Sequence, residues 1–142
     1  MTIAHSTSQL STATKLKVGC IIVKDDRIIS IGYNGTPSGD DNNCEEYNDE
    51  GVLMTKETVI HAEANAIAKL AKSSESANGS IMFCTHSPCL SCAKTILVSG
   101  ISEVYYSTDY RCSNGLKFLL DHNIRVQKIG WEEKLNWRDK CE

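Results

Sequence analysis

The chain has 142 residues, 41% of them hydrophobic and 23% charged, and a formal net charge of −3. That length suits a single domain spanning 1–142 around one core, and the composition excludes a disordered or fibrous chain. Its lysines and arginines are scattered singly, which argues against a polynucleotide partner, because neutralising a phosphate backbone needs clustered cations. No run of 18 apolar residues and no basic-then-apolar leader is present, so neither a membrane span nor secretion is expected, and the expected setting is cytoplasmic, or the host cytoplasm for a viral protein. In such a reducing compartment the seven cysteines read as core residues, reactive groups or metal ligands rather than a disulfide framework.

In chain order, Ile3, Ala4, Leu10 and Ala13 recur at loose helical spacing among serines and threonines, predicting a short helix over 3–13. Residues 18–23 and 27–33 are β-branched runs joined at Asp25-Asp26, the pattern of a hairpin. From Asn34 to about Thr58, Gly35, Pro37, Gly39, Gly51 and a cluster of Asp and Asn predict loop, and long loops in compact domains tend to be functional. Residues 61–72 switch to strong helix formers with an apolar face of Ala64, Ile67, Ala68, Leu70 and Ala71. A polar connection over 73–79 leads to a strand at 81–84 and to a helix running from Pro88 to Gly100, residues that tend to open and close helices. A strand at 104–106, a helix at 116–121 and a last strand at 124–126 follow, before a tail whose Trp131, Leu135 and Trp137 are placed for burial. Strands alternating with helices after an opening hairpin imply an α/β fold with a mixed sheet of about five strands, covered by helices on both faces.

Two short motifs stand at predicted helix starts, His61-Ala62-Glu63 and Pro88-Cys89-Leu90-Ser91-Cys92. Cys89 and Cys92, three apart in a first helical turn, turn both sulfurs to one side and can hold one metal. The positive end of the helix dipole favours thiolate, the form that binds zinc. One imidazole and two thiolates make a three-ligand tetrahedral zinc site with a fourth position for water, the arrangement of catalytic rather than structural zinc. Glu63 points elsewhere than His61 does and suits a general base beside that water. The thiolates already cancel the metal's charge, so the carboxylate completes the acidification.

H-x-E with P-C-x-x-C is the signature of zinc deaminases acting on nucleobases, and by it the chain resembles the cytidine deaminase superfamily. Within that superfamily Gly32-Tyr33-Asn34-Gly35-Thr36-Pro37 with Gly39 and Cys44, His61-Ala62-Glu63-Ala64-Asn65-Ala66-Ile67, and Ser87-Pro88-Cys89-Leu90-Ser91-Cys92-Ala93-Lys94 are similar to the deoxycytidylate deaminases, over about residues 17–129. The resemblance implies a three-layer α/β/α subunit in a homohexamer that converts dCMP to dUMP, a step feeding dTMP synthesis. It also implies activation by dCTP and inhibition by dTTP with Mg²⁺. Carried over residue by residue, His61, Cys89 and Cys92 bind zinc and Glu63 shuttles the proton. Asn34 holds the sugar hydroxyl, the Ala62 amide the base carbonyl, and the Ser87 carbonyl the departing amine. Tyr110 matches a tyrosine lying over the substrate near its phosphate, and Arg111 is a phosphate partner on charge grounds alone. A clipped N-terminal helix and the lack of a histidine-rich insertion before the first motif depart from the family and argue against a second, structural zinc. Compact phage and large-virus members, some of which also accept dCTP, are the most similar in build.

Plainer readings compete at each position. His61, Cys89 and Cys92 also suit a structural zinc knot closed by Cys84 or His86. Cys20 and Cys84 lie in apolar strands and read as buried small hydrophobes. Cys44 reads as loop packing ahead of metal or effector contact, Cys112 and Cys141 as incidental thiols, and His5 and His122 as solvated surface groups. Asn34-Gly35 is also a strong turn signal, Tyr110 is balanced between packing and binding, and Arg111 inclines to ordinary surface charge. The acidic stretch 45–50 reads as a solvated loop beside the segment where the family binds its effector. Two further functions fit less well: an adenosine deaminase acting on transfer RNA, and a zinc-stabilised nucleotide-binding module without turnover.

Overall fold

The β-branched runs form the hairpin their pattern predicts, β1 (Gly19–Lys24) and β2 (Arg27–Tyr33). The turn closes because Asp25 and Asp26 both take positive φ, 50° and 57°, the twist that a two-residue hairpin loop requires and that Asp tolerates. The structure, a computed structural model, describes residues 1–130; the aromatic tail and Cys141 lie outside the described residues. After the hairpin come β3 (Glu45–Tyr47), β4 (Leu53–Thr55), α2 (Ala62–Leu70), β5 (Ile81–His86), α3 (Leu90–Val98), β6 (Glu103–Thr108), α4 (Asn114–Asp121) and β7 (Arg125–Lys128), with α1 (Thr2–Ser8) in front.

Five strands form one mixed sheet in the order β2-β1-β5-β6-β7. β1 pairs antiparallel with β2 and β5, while β5, β6 and β7 run parallel. Alternate side chains divide the sheet between two helical layers. On one face Cys20, Ile22, Met82, Cys84 and Val104 pack against Ala62, Ala66 and Leu70 of α2, Ala93 and Ile96 of α3, and Leu119 of α4. On the other, Gly19 lies against α1, where an added Cβ would stand 2.1 Å from the Ala4 carbonyl oxygen. The α/β/α layering and five-stranded mixed sheet of the sequence reading are therefore present.

Several local expectations need correction. The first helix stops at Ser8 instead of reaching residue 13: Ser8 Oγ turns back to the His5 carbonyl, and Ser11 Oγ donates to the Asn34 carbonyl. Hydroxyls that bond nearby backbone compete with helix propagation. The stretch expected to be mostly loop is so, interrupted by the β3–β4 hairpin, whose three-residue strands are too short to show an alternating pattern. Pro88 does not open α3; Cys89 is its N-cap, and its Sγ accepts from the Cys92 N–H at 3.5 Å. His5 is not a solvated group, because its Nε2 lies 3.0 Å from Ser107 Oγ and joins α1 to β6. His122 is exposed as expected, its Nδ1 2.8 Å from the Phe118 carbonyl.

Two glycines allow the approach that builds the site. A Cβ on Gly32 would meet the Ala62 carbonyl oxygen at 2.1 Å and the Ala66 nitrogen at 2.6 Å, so α2 lies directly on β2. A Cβ on Gly115 would meet the Pro88 carbonyl oxygen at 2.1 Å, which lets α4 brace the turn before α3. Gly32→Ala is expected to cost about 1–3 kcal/mol by overpacking, read as a lowered thermal midpoint with zinc content also reduced, because the same contact seats the first turn of α2.

Candidate active site

α2 and α3 both begin at one end of the sheet, beyond the carboxyl ends of β2 and β5, where the neighbours of β5 switch from antiparallel to parallel. Ligand sites in open α/β sheets gather outside the carboxyl ends of the strands. A cleft of about 450 Å³ opens there, a volume in the range of small-molecule sites. His61 is the N-cap of α2 and Cys89 the N-cap of α3, so both motifs stand at helix starts as the sequence predicts.

His61 Nδ1 lies 3.5 Å from Cys89 Sγ and 3.4 Å from Cys92 Sγ, and the three ligand atoms lie within 4.8 Å of one another. Zinc–sulfur bonds of about 2.3 Å and zinc–nitrogen bonds of about 2.0–2.1 Å at a tetrahedral angle require N···S separations of about 3.5 Å. The donor set therefore fits zinc in both chemistry and spacing, and it is Nδ1 of the imidazole that faces the sulfurs. Among the described residues no fourth Cys, His, Asp or Glu joins this group. Cys84 instead sits in the core against its cross-strand partner Cys20, its thiol pushed up by the Cys20 side chain and by burial. His86 Nδ1 lies 3.0 Å from Thr85 Oγ1. Neither closes a knot.

Electrostatics separate the two cysteines. Cys89 is lowered to about 3 by hydrogen bonding from Cys92 and by the His61 imidazole, whereas Cys92 is raised by Cys89 and by burial. His61 is raised, first by its contact with Cys89. Glu63 is 4% exposed in the first turn of α2. Burial pushes its carboxyl up, against the opposing pull of its own backbone N–H, His61 and a hydrogen bond with Cys92. A carboxylate touching the metal-binding group yet outside it can trade protons with whatever that metal polarises.

The other anticipated residues also reach the cleft, which Asn34, Ala62, Ser87, Tyr110 and Arg111 line together with His61, Glu63 and Cys89. Ala62 is the first residue of α2, and its N–H is among those a helix leaves without an intrahelical acceptor. Ser87 is buried, and its Oγ accepts from the Tyr110 N–H at 2.8 Å. Arg111 donates to the Tyr110 hydroxyl at 3.0 Å and lies over its ring. Asn34 is not at a turn: Gly35 pairs with Ile60 in an antiparallel bridge, so the chain is extended there. The Asn34 side chain accepts from the Val18 N–H and donates to the Leu16 carbonyl, both at 2.8 Å.

Residues that sequence reasoning did not nominate include Lys15, Glu45 and Asp109, all lining the cleft, and His86, weighed there only as the closing ligand of a zinc knot, lines it too. Glu45 corrects the reading of 45–50 as solvated loop, since it is 4% exposed and accepts from the Thr14 and Lys15 amides. Its neighbour Cys44 is buried with Ala13 and Val59, the loop-packing role. His86 and Asp109 adjoin nominated residues in sequence, whereas Lys15 carried no local signal. No described helix is long and apolar enough to cross a membrane.

The family model for the cytidine and deoxycytidylate deaminase zinc-binding region matches residues 1–108. The deoxycytidylate deaminase of Enterobacteria phage T2 is 32% identical, over 99% of this chain and 94% of its own length. That of Saccharomyces cerevisiae (strain ATCC 204508 / S288c) is 35% identical over 94% of this chain but 45% of its own length, so the chain spans less than half of the yeast enzyme. Among solved structures, the dCMP deaminase from the cyanophage S-TIM5 in complex with dCMP and dUMP superposes with a TM-score of 0.84 at 45% identity, covering 90% of this chain and 92% of that one.

Proposed function

The chain belongs to the cytidine and deoxycytidylate deaminase family, and from that premise we propose that it hydrolyses the 4-amino group of dCMP, giving dUMP and ammonia. The observation that carries this reading is the buried Glu63 carboxylate beside a three-donor group, of which His61 and Cys89 line an open cleft together with Glu63. His61 Nδ1, Cys89 Sγ and Cys92 Sγ would hold zinc, which when bound supplies Lewis acidity to the attacking water. Glu63 takes one proton from that water and gives it to N3 of the base as oxygen bonds to C4, then carries the remaining proton from the new C4 hydroxyl to the amine, so that the C4 carbonyl forms as ammonia leaves. The Ala62 N–H donates to the base carbonyl and the Ser87 carbonyl accepts from the amine, fixing the ring over Glu63. Asn34 retains one lone pair and one N–H beyond its bonds to Val18 and Leu16, enough to meet a sugar hydroxyl. Arg111 orders the Tyr110 phenol and offers a bidentate group to phosphate.

The test is ammonia release, with loss of cytosine absorbance, from dCMP, dCTP, deoxycytidine and an RNA stem-loop under identical conditions. Turnover of dCMP well above deoxycytidine and RNA is the expected result; binding without ammonia from any of them would leave a nucleotide sensor instead. Turnover of dCTP, stimulation by dCTP and inhibition by dTTP with Mg²⁺, each run in the same assay, decide the range and regulation that the family resemblance implies. Light scattering decides the hexamer.

A further inference from the structure

Glu45 is buried at 4% exposure, yet no step of the deamination uses it. Its Oε1 accepts backbone N–H bonds from Thr14 at 3.0 Å and Lys15 at 3.1 Å. Asn34 grips the same segment just beyond, at Leu16 and Val18. Residues 11–18 belong to no helix or strand, so these side-chain bonds set the path of the chain there. Three residues of the segment, Lys15, Leu16 and Val18, form a wall of the cleft. Lys15 and Arg111 are the lysine and arginine side chains that line it. Lys15 spends one of its N–H donors on the Leu53 carbonyl at 2.8 Å and keeps two for a ligand. Hydrogen bonds to a carboxylate are stronger than those to a neutral acceptor, and a buried carboxylate is tolerated when so bonded.

We infer that Glu45 is a positioning residue for phosphate recognition: by holding the Thr14 and Lys15 amides it sets the wall that presents the Lys15 ammonium to the 5′-phosphate of the nucleotide. This rests on the nucleotide reading of the cleft. Charge alone is not the mechanism, since removing an acid near a phosphate site would favour the anion; the acceptor oxygen is what counts. Glu45→Gln keeps that oxygen and Glu45→Ala deletes it.

The experiment is steady-state kinetics of the zinc-loaded wild type, Glu45→Ala, Glu45→Gln and Lys15→Met on dCMP and deoxycytidine, with hydrogen exchange followed at residues 14 and 15. Glu45→Ala is expected to raise the KM for dCMP by about tenfold, with kcat within about twofold and a smaller change for deoxycytidine. Exchange at both amides accelerates. Glu45→Gln restores most of the KM, and Lys15→Met reproduces the dCMP-selective rise. An unchanged dCMP KM in Glu45→Ala, an equal rise for dCMP and deoxycytidine, or a fall in kcat alone would overturn the inference. If Glu45→Ala does not fold, Lys15→Met decides by the same selectivity. Should the wild type release no ammonia from dCMP, the functional reading fails, and equilibrium binding of dCMP and deoxycytidine to the same proteins decides the role of Glu45.

Discussion

Glu63→Gln is expected to lower kcat for dCMP by a factor of about 10²–10⁴, the usual contribution of a positioned acid or base, while zinc content and KM hold near the native values. The carboxamide keeps the size of the side chain but cannot carry a proton from water to N3 and the amine. Folding should not suffer, because Glu63 is 4% exposed and a neutral amide costs less to bury than a charge. Functional groups of this kind are held at some expense in stability, so a raised thermal midpoint beside the lost turnover is the expected signature. Ammonia release, metal analysis and a melting curve on one preparation check all three. Turnover within tenfold of the native enzyme would remove Glu63 from the proton path.

The second large effect is loss of the metal. Cys92→Ala, or chelation of the native protein, is expected to reduce turnover by at least about 10³-fold, since water at its ordinary acidity is a poor nucleophile at neutral pH. Metal held at about 1,000 times its Kd contributes about 4 kcal/mol. For a domain of this size that is about 10 °C in thermal midpoint. Cys92 is the more telling cysteine, because it is buried at 4% exposure between Cys89 and Glu63, and its removal leaves a cavity as well as taking one of the three donors from the group. Readdition of zinc to the chelated protein should restore both turnover and midpoint; a variant that keeps full activity without bound zinc would exclude this donor set.

Much of the site was legible because its chemistry is written in short local spacings. His61-Ala62-Glu63 and Cys89 with Cys92 lie at the starts of α2 and α3, and each spacing fits within one helical turn. The hairpin β1–β2 and the parallel strands were legible because β-branched runs bounded by turn formers have few alternatives. By contrast, the length of α1 was misjudged: the outcome depended on the hydroxyls of Ser8 and Ser11 finding carbonyls, one of them 23 residues away at Asn34. The Asn34-Gly35 pair carried a turn signal that the bridge to Ile60 overrode.

Residue types at fixed short separations thus pointed in advance to the candidate donor set, the carboxylate beside it and the alternating order of strands and helices, because those depend on periodicity and intrinsic chemistry alone. Tertiary contacts decided the rest: which imidazole nitrogen faces the sulfurs, that Cys84 pairs with Cys20 instead of joining them, and that Glu45 leaves an acidic stretch to bond Thr14 and Lys15. Each of these turns on partners 28 to 64 residues apart in the chain. A side chain's periodicity says which face it takes; only the folded chain brings to that face the group it will bond.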